Sequence, residues 1–126
     1  MDNFLIISCT GNNDKLGLGI NKEFFIRNLL EKKNVSENLV EEISKFTKEY
    51  NTNIDENFSV IINQGPGSFS SIRISIAVAK GLEISKKVKI YGYNSVDLKI
   101  FDKENVENLI NSNLIEKNLI KPIYLS

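Results

Sequence analysis

The stretch from Phe58 to Leu82 constrains the fold more than any other part of this 126-residue chain. An apolar run, Phe58-Ser59-Val60-Ile61-Ile62, passes through Asn63-Gln64 into Gly65-Pro66-Gly67-Ser68, where two glycines flank a proline. Such a cluster cannot continue a strand, so the chain must turn sharply there, and the serines beyond it can cap the next element. Ile72-Arg73-Ile74-Ser75-Ile76 then alternates like a strand, and isoleucine is β-branched. Helix is nevertheless expected. Ile72, Ser75, Ile76, Ala79 and Leu82 fall on one helical stripe, and the small Ser75 and Ala79 admit a close neighbour. A helix that is apolar nearly all round is one that is buried, here in part by another chain.

The remaining elements are set by periodicity. Phe4 to Cys9 is a continuous apolar run, the pattern of a central strand covered on both faces. Leu16-Gly17-Leu18-Gly19-Ile20 alternates large residues with glycine, so one face packs and the other admits a close neighbour. Asn21-Lys22 makes a tight hairpin to a third strand, Glu23 to Arg27. Asn34 with Glu37 forms a capping box, and Val35, Leu39, Val40, Ile43, Phe46 and Tyr50 continue with helical spacing. Glu37, Glu41, Lys45 and Lys48 are its solvated face. Val88 to Gly92 is a further strand. Asn94 or Ser95 caps a short helix through Phe101, and Asp102 caps another carrying Val106, Leu109 and Ile110. The order is strand, strand, strand, helix, strand, helix, strand, helix, an α/β arrangement.

Composition narrows the chemistry. With 41% hydrophobic and 25% charged residues, one domain is expected, and at this length roughly two thirds of the unfolded surface can be buried without a metal or disulfide. The lone Cys9 lies in an apolar run and reads as a small buried hydrophobe rather than a nucleophile, in a cytoplasmic protein. Lys plus Arg and Asp plus Glu both count 16, so no net field draws the chain to nucleic acid or membrane. Neither a signal peptide nor a membrane span is expected. There is no His, which removes the commonest general base and metal ligand.

On spacing alone, the turn has two readings. It is a structural turn, or it is an anion site in which the loop Gly65, Pro66, Gly67 and Ser68 exposes the backbone N–H groups of its non-proline residues beside Arg73 and the positive end of the helix dipole. It lacks the lysine of a phosphate loop and the three glycines of a dinucleotide fingerprint.

Gly65 to Leu82 resembles the segment of the TsaB family, also called YeaZ, that reads Gly-Pro-Gly-Ser-Phe-Thr-Gly, a branched apolar residue, Arg-Ile-Gly, then a small-residue helix ending Ala-Lys-Gly-Leu. The strand before it, Val88 to Ser95 after it, and the closing Lys121-Pro122-Ile123-Tyr124-Leu125-Ser126 are similar to the family too, with Ser126 where arginine is usual. The resemblance implies half of an actin-like or RNase H-like ATPase fold: a mixed five-stranded sheet flanked by helices, its first three strands an antiparallel meander. Family members continue into a second domain, whereas here a short Asn-rich segment leads to the closing motif. Residues 1–126 are therefore expected to be a single N-terminal-type domain.

The resemblance further implies a non-catalytic scaffold for a TsaD-type enzyme in threonylcarbamoyladenosine modification of tRNA. The helices Asn34 to Tyr50 and Ser71 to Ile84 would form the pairing surface, used for a heterodimer and, alone, a homodimer. Leu39, Phe69, Ile72 and Ile76 are the contact candidates, with core packing as the alternative for each, above all for Ile76 and Leu39. A TsaE-type ATPase is a further partner, and tRNA an indirect one. No cofactor or metal is expected. Nucleotide-handling proteins of this superfold end the first strand with an aspartate, where this chain has Ser8-Cys9-Thr10. An ATP-binding protein and a protease are the competing classes. Ser8 disfavours the first, and the lack of any nucleophile–base pair disfavours the second.

Overall fold

A computed structural model of the chain describes residues 1–29, 38–113, 115 and 120–123. Five strands, β1 (Asn3–Ser8), β2 (Lys15–Ile20), β3 (Glu23–Asn28), β4 (Phe58–Asn63) and β5 (Lys89–Tyr93), form one sheet in the order β3-β2-β1-β4-β5. The first three are an antiparallel meander, while β4 and β5 run parallel to β1. Three helices, α1 (Leu39–Glu49), α2 (Phe69–Lys86) and α3 (Lys103–Asn111), complete the expected α/β arrangement.

Strand alternation sends successive residues to opposite faces. Leu5, Ile7 and Cys9 face the layer of α1 and α2, together with Val60, Ile62, Ile72, Ile76 and Phe46. Phe4 and Ile6 face the other way, onto Ile61, Tyr93, Val106 and Leu109 of the α3 layer. Each fully buried Leu or Ile contributes about 1.5–3 kcal/mol, and β1 is buried on both sides as its unbroken apolar run requires.

The glycines of β2 are spaces rather than hinges. A Cβ on Gly17 would lie 2.6 Å from both Ile6 Cγ2 and the Phe24 ring, and one on Gly19 would collide with the Phe4 ring. Phe4, Phe24 and Phe101 make a chain of rings over this bare backbone, with centroids 6.1 and 5.9 Å apart. The hairpin turn is the expected one: Asn21 and Lys22 both have positive φ, 51° and 68°, as a two-residue turn between twisted strands demands.

One helix differs from expectation, and another is described only in part. The Asn34–Glu37 capping box and Val35 lie outside the described residues, and α1 is described from Leu39 onward. Beyond β5, the helix expected through Phe101 is only a 3-10 turn, Ser95–Asp97, capped by the Asn94 side chain on the Val96 amide. Val96 and Ile100 point to solvent, so no apolar stripe rewards a longer helix. In contrast, α3 begins where expected, its Asn105 amide held 2.8 Å from Asp102 Oδ1.

Candidate functional site

The turn after β4 is built from within the chain. Gly65 has φ of +100°, and a Cβ there would lie 2.7 Å from Ile72 Cδ1 and 3.0 Å from the Ile123 carbonyl oxygen, so only glycine fits. The Gly65–Pro66 peptide is cis. Gly67 lies against Thr10, and the Ser68 amide donates to the Thr10 carbonyl at 2.7 Å. The Gly65 amide donates to Asn63 Oδ1, the Ser95 amide to the Gly65 carbonyl, and the Ser95 hydroxyl to the Pro66 carbonyl. The Ile72 amide bonds back to Ser68. Arg73 reaches over the Phe69 ring, 5.0 Å from its centroid. These hydrogen bonds hold the turn in place.

The C-terminal ends of the inner strands are neutral. Asn63 Nδ2 donates to Ser8 Oγ at 3.2 Å, and Tyr93 is buried beside them, its hydroxyl completing no hydrogen bond of good geometry. Burial holds the Tyr93 phenol above its usual range, with Ser8 and Asn63 pulling slightly the other way. Burial above all, then the Asp14 carboxylate, pushes the Cys9 thiol up to about 12, against the Ser75 hydroxyl. Such a thiol is protonated and shielded, as its apolar setting suggested.

What faces outward is apolar. Helix α2 rests on the sheet through Ile72, Ser75, Ile76 and Ala79, where the small Ser75 and Ala79 bring the helix close to β-strand side chains. Its other side, with α1, borders a groove of about 760 Å³ lined by Val40, Ile74, Ala77, Val78, Gly81 and Leu82 among others. Val40 is 65% exposed. Gly81 has no atom within 4 Å of where a Cβ would stand. Nothing within the described chain requires that glycine, although it weakens a helix by roughly 0.5–1 kcal/mol relative to alanine.

Of the four expected contact residues, three lie beneath this groove. Leu39 and Ile72 are 1% exposed and Ile76 is 6% exposed, all in the core, whereas Phe69 is 52% exposed at the start of α2. Sequence reasoning passed over Val40, Ile74, Ala77, Val78 and Gly81. The usable signal was the run Ala77, Gly81, Ser85 at four-residue spacing, a second small stripe that the sheet does not take up.

Helix α1 forms the far wall and is fastened to the sheet edge. Arg27 Nε donates to Glu42 at 2.8 Å, Arg27 also lies 3.8 Å from Glu49, and the Phe25 and Tyr50 rings stack with centroids 4.0 Å apart. No helix among the described residues is long and apolar enough to cross a membrane.

Comparison with known proteins gives a concordant result. A family model described as TsaD, tRNA N6-adenosine threonylcarbamoyltransferase, matches residues 29–109. The tRNA threonylcarbamoyladenosine biosynthesis protein TsaB of Buchnera aphidicola subsp. Acyrthosiphon pisum (strain APS) is 29% identical over 111 residues, which are 84% of this chain and 50% of that protein. The chain thus spans about half the length of this curated relative. YeaZ from Pseudomonas aeruginosa superposes with a TM-score of 0.68 at 17% identity, over 78% of this chain and 45% of that one. A structure described as similar to the peptidase YeaZ from Pseudomonas aeruginosa superposes with a TM-score of 0.69 at 16% identity, over 90% and 50%. The mixed sheet is that of the actin-like, RNase H-like fold, and with the matched family model it shows that the chain belongs to the TsaD family of proteins, on its TsaB (YeaZ) branch.

Proposed function

We propose that this domain is a non-catalytic partner subunit that docks a TsaD-type protein in threonylcarbamoyladenosine modification of tRNA. The observation that carries it is the groove between α1 and α2, an apolar surface with open space above Gly81 where a foreign backbone can approach. An apolar trough of this kind, rimmed by polar residues, is what a protein interface looks like before its partner arrives. The neutral set Ser8, Asn63 and Tyr93 at the strand ends supports a structural over a hydrolytic role, because a carboxylate is needed there to hold a cation near phosphates. The turn at Gly65–Ser68 sets the start of α2, and so the height of the groove wall. In this reading the single described domain suffices for docking, and tRNA is reached through the partner.

The test is co-expression with the cognate TsaD-type protein, followed by sizing chromatography at micromolar concentration. Co-elution is expected, and Gly81→Gln, which fills the open space with a neutral side chain, is expected to separate the two. Independent elution of the unaltered chains would refute docking. Reconstituted tRNA modification with and without this chain tests the biological consequence.

A further inference from the structure

The chain is neutral as a whole, yet its charge is unevenly placed. Between Phe69 and Tyr93 five cationic residues stand against a single acid, Glu83. Three of them share one line. Positions seven apart return to the same side of a helix and stand roughly 10 Å apart along its axis, and Arg73, Lys80 and Lys87, the residue that ends α2, follow that step. Ile72, Ser75, Ile76 and Ala79 take the sheet side, and none of the three cations lines the groove shared with α1. The line therefore runs along the flank of α2 that faces away from α1.

The sheet edge extends it. Helix α2 lies over β4 and β5, and β5, an edge strand, adds the exposed Lys89. Lys121 is exposed beside β5, where Gln64 reaches its carbonyl across Gly92. Arg73, Lys80, Lys87, Lys89 and Lys121 form no ion pair among the described residues. Glu42 and Glu49, by contrast, pair with Arg27 of β3 at the opposite edge of the sheet. At the head of the line Arg73 lies over the ring of Phe69, which is 52% exposed.

We propose that this flank, with the edge strand, binds single-stranded RNA: phosphates meet Arg73, Lys80, Lys87 and Lys89, and an unpaired base stacks at Phe69 and Arg73. Charge complementarity selects the partner. A phosphodiester chain repeats its negative charge along its length, so cations strung over about 20 Å can each meet a phosphate, and each contact releases condensed counterions. An acidic peptide would satisfy the cations but bring no flat ring to Phe69, which a base supplies. A lipid surface calls for a continuous apolar face beside the cations, whereas the exposed Phe69 and Ile84 stand about four turns apart. The contact lies outside the groove and goes beyond the docking role: RNA brought by the partner is met by this chain's own side chains.

The experiment titrates the whole chain, alone and with its cognate TsaD-type protein, into a fluorescently labelled RNA hairpin with a single-stranded loop. Four forms are compared by anisotropy, each checked for an unchanged melting curve: unaltered, Lys80→Glu/Lys87→Glu, Phe69→Ala, and Lys22→Glu/Lys103→Glu, which makes the same charge change on the α3 side of the sheet. Lys80→Glu/Lys87→Glu is expected to weaken binding at least about tenfold at low salt and to lower the slope of log affinity on log salt by about 1.4, the loss of two single-strand contacts. Phe69→Ala is expected to weaken binding with the slope unchanged, and Lys22→Glu/Lys103→Glu to bind like the unaltered chain. Sizing chromatography reads pairing separately: RNA binding through Lys80 and Lys87 by a chain that does not pair sinks docking and supports this inference. Absence of RNA binding both alone and in the pair overturns it, as does unchanged binding by Lys80→Glu/Lys87→Glu or an equal loss in the two charge-reversed forms. Displacement of the RNA by polyglutamate at equal charge assigns the flank to an acidic protein, and uptake on phosphatidylserine vesicles without RNA binding assigns it to a lipid surface; either result overturns the inference.

Discussion

The side-chain amide of Gln64 donates to the Lys121 carbonyl at 2.9 Å, and the Gln64 carbonyl accepts from the Ile123 amide at 2.7 Å, so the end of β4 grips the segment 120–123 twice. The Gln64 side chain gets there across the backbone of Gly92, where a Cβ would collide with it. Gly92→Ala is therefore expected to displace Gln64 and cost about 1–3 kcal/mol, the usual range for overpacking. Denaturant melts of Gly92→Ala and Gln64→Ala, with the latter losing about 1 kcal/mol, check this; a neutral Gly92→Ala would mean that Gln64 does not pass there.

Gly81 divides stability from docking. Gly81→Ala is expected to raise stability by about 0.5–1 kcal/mol, since α2 gains a better helix former with no clash. It is also expected to weaken the proposed pairing, because the methyl group takes up space that a docked partner would need. Thermal melting and titration calorimetry on the same sample measure both signs, and stronger pairing by this variant would sink the idea of close approach.

Ile76 and Ile72 are buried core residues on the sheet side of α2. Ile76→Ala is expected to destabilise by about 2–4 kcal/mol as a buried truncation on the sheet side of α2. Ala77→Asp, one position on and exposed, is expected to leave melting within about 0.5 kcal/mol and to impair pairing. A reversal of these two outcomes would place the outward face of α2 on the other side.

Alkaline pH should unfold the chain through its interior. The Cys9 thiol rises from an ordinary 9.0 to about 12 on folding, so the folded state keeps a proton that the unfolded state releases. This contribution is whole below pH 9 and falls by about 1.4 kcal/mol per pH unit between 9 and 12. Tyr93, raised from 10.0, adds loss of the same sign above pH 10. Cys9→Ala should flatten the stability profile between pH 9 and 10. An unaltered slope there would exclude Cys9 as its source.

Tyr93 buries a hydroxyl without a well-formed partner. Leaving such a group dry costs about 1–3 kcal/mol, so Tyr93→Phe is expected to be neutral or stabilising by up to about 1 kcal/mol. A loss above that figure in a denaturant melt would reveal a hydrogen bond to Ser8 or Asn63.

All five strands could be read from residue order, because runs such as Phe4 to Cys9 are apolar where both faces are covered and alternate where glycine yields to a ring. Helix α2 was legible despite the alternating isoleucines, since the turn at Gly65–Ser68 ends β4 and Ser75 with Ala79 mark a close packing stripe. Which side of α2 looks outward was not. The helix is apolar nearly all round, and periodicity cannot orient such a helix; the height and direction of the turn do, by placing Ile72 Cδ1 against Gly65. Ile72 and Ile76 lie on the sheet side of α2 for that reason. The 3-10 turn after β5 was equally hidden, because a good cap at Asn94 announces a helix start but not its length.

The rings of Phe4 and Phe24 are seated on a strip of β2 formed by Gly17 and Gly19, which carry no side chains, and Phe101 packs on Phe24. Change along that strip must come in matched steps. A methyl at position 19 is admissible once Phe4 has become something smaller, and enlarging Phe24 has no answering vacancy to enter. That wall of the protein can drift over generations only through paired exchanges, and residues 4, 17, 19 and 24 should be inherited as a set.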